Sequence, residues 1–160
     1  MIVKRYGFLT LRYVITVLLL IYIILLALFG GGSTRSFDEV ANAISSAMTD
    51  QTMEEVDELG FKRRFGMNAT EFDGVLMYAN QFRLSADEVL LVKASSYQQL
   101  EELQARIETR MASRQQDFQG FSQEQAYHIE HAVITVRGLF LYLGVGPNAV
   151  ELNRVFLDAL

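Results

Sequence analysis

The pattern of hydrophobic positions divides the chain at about residue 35. Residues 13–29 carry no charge and are almost entirely apolar, whereas downstream the apolar residues recur at helical or alternating spacing. Crossing about 30 Å of hydrocarbon takes roughly 20 helical residues. A soluble core helix would show a polar face with a period near 3.6, and this run shows none. The pattern therefore predicts a transmembrane helix over residues 13–29, with the lipid bilayer as its partner.

Basic residues are distributed unequally around this run. Lys4, Arg5 and Arg12 precede it, and only Arg35 follows it closely. Because Lys and Arg favour the cytoplasmic side, we expect a single-pass protein of the cell membrane with its N-terminus inside. A cleaved signal peptide has the same charge polarity but a shorter apolar region, and it is the alternative interpretation. The predicted domains are a cytoplasmic basic N-terminus (1–12), a transmembrane helix (13–29), a Gly-rich hinge (30–35) and an extracytoplasmic domain (36–160).

The remainder of the chain predicts an α+β domain. Ser36 and Glu39 form a capping box that begins an amphipathic helix, and apolar residues at helical spacing predict a long helix over 97–118 and a last helix over 148–160. Charged residues 53–66 suggest a short helix that ends near Gly66. A further short helix is expected after Ser122. Apolar runs predict four strands, at residues 72–79, 88–94, 133–136 and 139–145.

These elements favour a four-stranded, mainly antiparallel sheet with about three main helices packed largely on one face. The strand from Leu139 to Val145 complicates this arrangement, because it is apolar on both of its alternating sets. Both faces therefore need cover. Either the helices divide between the faces, or a second subunit or an envelope protein covers the Leu139 to Val145 region. We expect the aromatic face at Tyr142 to be exposed or shared.

Charge and cysteine content exclude several classes of protein. All 19 acidic residues and 11 of the 14 basic ones lie in residues 35–160, so this part carries a net charge of −8. This balance argues against nucleic acid as a partner. The chain has no cysteine, which excludes disulfides and zinc–thiolate chemistry.

One group of residues has spacing suitable for a metal. Glu124, His128 and His131 fall on neighbouring turns of a predicted helix, where a carboxylate and two imidazoles can meet on one face. The HExxH order is lacking, and histidines on a polar stretch are usually solvated. These three residues are therefore weak candidates, and we predict no metal site and no catalytic residue.

A second motif, GVGPNA at residues 144–149, has the outline of a dinucleotide fingerprint. Too few residues follow it to supply the next parallel strand, and Pro147 lacks an amide that a phosphate would need. We interpret it as a turn with a helix start and predict no cofactor.

Five segments together resemble an uncharacterised domain-of-unknown-function family of exported bacterial proteins, mostly from Firmicutes. The segments are SFDEVANAI, FGMNATEFDGVLMYA, ADEVLLVKA, RMASRQQDFQGFSQEQ and AVITVRGLFLYLGV. The resemblance implies export and anchoring by a membrane helix or a lipidated cysteine, of which this chain has only the helix. The resemblance implies no catalytic activity and no site residues.

The sequence thus favours a membrane-anchored, extracytoplasmic binding or interaction module of the bacterial cell envelope. The alternative is a small metal-dependent or acid–base hydrolase that uses the Glu124 to His131 region. In the alternative, Glu124, His128 and His131 should converge in a concave pocket, whereas a module should offer a flat or grooved surface.

Overall fold

The computed structural model describes residues 13–23, 35–82 and 84–160. The chain divides into two compact units, Met1–Gly32 and Ser33–Leu160. In the first unit, residues 13–23 form a helix, α1, whose side chains are all exposed. Three predicted segments lie outside the described residues: the basic terminus (1–12), the end of the apolar run (24–29) and most of the hinge (30–34).

The prediction of a transmembrane helix as part of this fold is wrong. Within the described ranges, no helix combines the length and the apolar character needed to cross a bilayer.

The second unit is built on one antiparallel sheet of five strands, in the order β1-β2-β3-β5-β4. The β2–β3 and β4–β5 pairs join strands that are consecutive along the chain, and β3–β5 pairing joins these two hairpins. Gly138, with φ of 59°, forms the tight turn between β4 and β5 that the sequence predicts. The strands are β1 (Met53–Glu55), β2 (Gly74–Asn80), β3 (Glu88–Lys93), β4 (Val133–Arg137) and β5 (Phe140–Val145).

Five helices accompany this sheet, and several begin at the residues that the sequence indicates. Ser36, Ser96 and Ser122 each accept a hydrogen bond from the backbone amide three residues ahead, which satisfies one unpaired amide at a helix start. Gly66 ends the short helix in the left-handed conformation, with φ of 69°. The helices are α2 (Phe37–Ala47), α3 (Glu58–Phe65), α4 (Tyr97–Gln119), α5 (Gln123–Glu130) and α6 (Ala149–Ala159), with a short 3₁₀ turn at Ala69–Glu71.

The helices divide between the two faces of the sheet. We call the face covered by α2 and α6 the two-helix face; its buried residues are Val40, Ile44, Val89, Leu91, Phe140, Tyr142, Leu152 and Phe156. The opposite, three-helix face lies under α3, α4 and α5, where Leu90, Val92, Leu141 and Leu143 pack against residues such as Phe61, Leu103, Ile107 and Ile129. Both alternating sets of β3 and β5 are therefore buried within one domain.

The predicted four-stranded sheet with helices largely on one face is wrong in two respects. Strand β1 is a fifth strand, within the charged segment that suggested only a helix. It has three residues, of which Glu54 and Glu55 are exposed, and its structure depends on pairing with β2 rather than on a local apolar pattern. The helices also cover both faces, and Tyr142 is fully buried by the domain's own helices.

Candidate functional site

The side chain of His128 is fixed by a carboxylate from another element. Its Nδ1 lies 2.9 Å from Oδ1 of Asp87, which immediately precedes β3, and both side chains are mostly buried. Gln125, on the same helix α5, accepts from the backbone amide of Ala86 at 2.6 Å. These contacts attach α5 to the start of β3.

A small cavity lies on the other side of Asp87. Asp50, Asn148 and Gly146 are among its lining residues, and its volume is about 30 Å³. This is room for about one water molecule. The Asp87–His128 pair has the composition of a general acid–base pair, but the cavity described beside Asp87 is too small for a substrate.

The other candidate metal ligands do not join His128. Glu124 is exposed, and His131 is exposed with its ring stacked on Tyr127 at a centroid distance of 3.9 Å. The Nδ1 atom of His131 lies 2.9 Å from the backbone oxygen of Tyr127. In the parts of the chain that the structure describes, no group of three or more His, Asp or Glu residues is arranged to hold a metal ion.

The GVGPNA motif forms the connection from β5 to α6. Gly146 has φ of 121°, and a Cβ there would lie 2.8 Å from the Asp87 Oδ1 atom, so both the backbone conformation and the space require glycine. The Tyr142 hydroxyl donates to the backbone oxygen of Ala149 at 2.8 Å, in the interior. Burial raises the pKa of this hydroxyl, because the apolar surroundings disfavour the phenolate. The motif thus has a packing role.

Glu88 is the buried charged residue of the described chain, at 2% exposure. It faces α4, where Arg110 binds both of its carboxylate oxygens; the Nη2 to Oε2 distance is 2.9 Å. The guanidinium of Arg110 also lies over the ring of Phe65, 5.3 Å from its centroid. This two-point contact satisfies Glu88 completely with one arginine.

Two further arginines lie close to this pair. Burial lowers the pKa of Arg64, and Glu88 opposes this effect while repulsion from Arg110 adds to it. The pKa of Arg114 is lowered for the same reasons in the same order. Neither forms an ion pair with a described residue, and the Nε atom of Arg114 is buried without a hydrogen-bond partner. Arg64 and Arg114 therefore add positive charge near the Glu88–Arg110 pair, which Asp57 and Asp117 offset in part.

The sequence-based reasoning missed these residues. Asp87 lies between two predicted strands, and Arg64, Arg110 and Arg114 lie in predicted helices, where exposed charges are common, so none of them stood out. One signal was present: Glu88 has the same strand parity as Leu90 and Val92, so alternation places its carboxylate on the buried three-helix face. A charge at such a position needs a partner.

The two edges of the sheet differ in their protection. Strand β1 is short and presents Glu54 and Glu55, whereas β4 has five residues with one charge, Arg137. Ile134 in β4 is 37% exposed. Apart from the Arg137 guanidinium, which donates to the backbone oxygen of Val136 at 3.1 Å, no described residue outside β5 bonds the β4 backbone.

The fold and these sites define an α+β domain with an antiparallel sheet between two layers of helices. Residues 45–146 match the model of a family described as a domain of unknown function (DUF4358), and the chain belongs to this family. This confirms the resemblance to a domain-of-unknown-function family, while export and a Firmicutes source stay predictions. No curated protein and no solved structure gave a significant match to the chain.

Proposed function

We propose that residues 35–160 form a binding module that takes an extended segment of another protein as a sixth strand along β4. The observation that supports this most is the unprotected edge of β4. Natural sheets usually shield an edge with charges, proline, bulges or short length. Strand β1 has two of these devices, whereas β4 is longer and carries its one charge at its end.

Strand addition uses groups that β4 already presents. Its outward backbone amides and carbonyls can pair with an extended peptide, and alternate side chains then give specificity. Ile134 is paired with Leu143 and therefore lies on the three-helix face. An apolar residue of the added strand would pack beside it and cover its exposed part.

Charge favours a different protein over a second copy as the partner. With 19 acidic and 11 basic residues in residues 35–160, two copies of this domain would repel each other. The same charge favours a neutral or basic segment. We prefer β4 to the predicted contact through Leu139 to Val145, because β5 lies between β3 and β4 and its residues are buried.

A hydrolase in the Glu124 to His131 region has less support. Its three side chains do not gather around one described site, and the cavity beside Asp87 holds about one water molecule. A place of action outside the cytoplasm, at the bacterial envelope, is part of our proposal. It is supported by the order of basic residues followed by an apolar run, which export signals share.

The binding module can be tested by photo-crosslinking in intact cells with the full-length protein. A photoreactive residue at position 134 should capture a partner, while the same residue at Val150, exposed on α6, should not. A peptide from the captured segment should then slow hydrogen exchange of the β4 amides. Ile134→Lys should weaken peptide binding by about tenfold or more, since it adds a charge at the edge.

Val150→Lys is the matched control and should bind the peptide normally. Equal capture from positions 134 and 150, or exchange protection outside β4, would contradict the proposal. Capture of only a second copy would identify self-association instead. A captured partner that resides in the cytoplasm would contradict the proposed location.

A further inference from the structure

Basic residues are concentrated on two helices of an otherwise acidic domain. Six of the 11 basic residues in residues 35–160 belong to α3 and α4: Lys62, Arg63, Arg64, Arg106, Arg110 and Arg114. The same helices carry five acidic residues, Glu58, Glu101, Glu102, Glu108 and Asp117, so their net charge is +1 in a domain of net charge −8.

The positive charge around Glu88 is offset in part: Glu88 and Asp57 attract Arg64, and Glu88 and Asp117 attract Arg114. Arg110 binds both oxygens of Glu88, and neither Arg64 nor Arg114 forms an ion pair with a described residue. Both are partly buried, and each is repelled by Arg110. Partly buried like charges of this kind destabilise the domain unless an anion joins them.

An open groove of about 580 Å³ between α3 and α4 gives access to this charge. Arg64 lines it from α3, while Arg110, Thr109 and Ser113 line it from α4. The groove is wide open to solvent, so a bound ion would be reached directly from water.

Some of the groove's polar groups are already engaged. Arg106 donates to Glu102 at 2.7 Å and to the backbone oxygen of Phe65 at 3.1 Å. The Thr109 hydroxyl donates to the carbonyl of Ala105 at 2.8 Å. The unengaged donors of the described groove are therefore the Arg64 guanidinium and the Ser113 hydroxyl.

We propose that this groove is an anion site that binds a phosphate group, held by Arg64 with Ser113 and completed by the charge of Arg110. A guanidinium matches the geometry of two phosphate oxygens, and such charge-assisted hydrogen bonds are stronger than neutral ones. A doubly charged phosphate gives Arg64 a direct ionic partner, which it lacks among the described residues. The site is separate from β4 and does not depend on the proposed function.

Calorimetric titration of the full-length protein with inorganic phosphate, against chloride at equal ionic strength, tests this site. We expect saturable binding by the parent. Arg64→Gln should weaken it about 10- to 100-fold, and Ser113→Ala should weaken it less. Arg154→Gln, which removes an exposed arginine from α6, is the matched control and should bind like the parent.

Thermal unfolding provides a second readout that a merely structural role of Arg64 would not give. Without phosphate, Arg64→Gln should melt at the same temperature as the parent or higher, because it removes repulsion with Arg110. Phosphate should then raise the midpoint of the parent and of Arg154→Gln, but not that of Arg64→Gln. No saturable binding by the parent, or equal binding by Arg64→Gln and Arg154→Gln, would overturn the proposal.

Glycerol 3-phosphate distinguishes the two sources of a phosphate group. If it binds at least as tightly as inorganic phosphate, the site accepts a phosphorylated molecule. If only inorganic phosphate binds, the site takes the free ion. In either case, Arg64→Gln should show the same loss of binding affinity.

Discussion

The two faces of the sheet are equally buried but differ in what they bury. The fully buried side chains of the two-helix face are apolar apart from the Tyr142 hydroxyl, which donates to Ala149. The three-helix face includes the ion pair of Glu88 and Arg110 beside two more arginines. Substitutions on the two-helix face should therefore destabilise the domain when they change the shape of a side chain or add a charge. Substitutions on the three-helix face should destabilise it chiefly when they leave a charge without its partner.

The largest effect is expected from Tyr142→Glu on the two-helix face. Tyr142 is fully buried and stacked on Phe156, with 5.6 Å between the ring centroids. A carboxylate there has no cation to pair with and would lose its hydration, so the domain should not fold. Circular dichroism of the purified variant measures this. A cooperative melt near that of the parent would show that the aromatic face opens to solvent.

On the three-helix face, Glu88→Gln should destabilise the protein by about 3 to 5 kcal/mol, since it leaves Arg110 buried without a carboxylate. Urea unfolding monitored by fluorescence or circular dichroism gives the free energy of unfolding. The control is the double variant Glu88→Met with Arg110→Met, which removes both charges. It should recover most of the loss; if it is as unstable as Glu88→Gln, packing rather than charge decides the stability of this face.

The smallest effect is expected from Tyr142→Phe, which keeps the ring and removes one hydrogen bond. Because the hydroxyl donates to Ala149 at 2.8 Å inside the core, its loss should cost about 1 to 2 kcal/mol. Urea unfolding of Tyr142→Phe and the parent measures this difference in the free energy of unfolding. A change close to zero would indicate that Ala149 finds another donor in the variant.

Local patterns predicted most elements of this domain. The capping box at Ser36, the helical spacing of apolar residues such as Leu100, Leu103 and Ile107, and the glycine turn at Gly138 are signals within a few residues, and the structure confirms each. Strand β1 was missed because three residues with two exposed glutamates carry no apolar alternation. The division of helices between two faces follows from contacts between distant segments, which a local pattern does not contain.

The candidate sites were less accessible from sequence. Spacing on one helix suggested Glu124, His128 and His131, but helix α5 turns His128 towards Asp87, which is 41 residues away in the chain. The arginine groups come from α3 and α4, again distant in sequence. The one local sign of this site was Glu88, a charged residue that shares one face of a strand with the buried residues Leu90 and Val92.

The order of strands in the sheet also affects how the chain folds during synthesis. The two hairpins join residues close in sequence, but the central β3–β5 pairing brings Leu90 against Leu143, across more than fifty intervening residues. Contacts of such separation close slowly compared with a hairpin. On the ribosome, β3 is therefore made long before the strand that borders it. During that interval its apolar edge is open to other chains, which makes nascent β3 the part of the domain most exposed to aggregation.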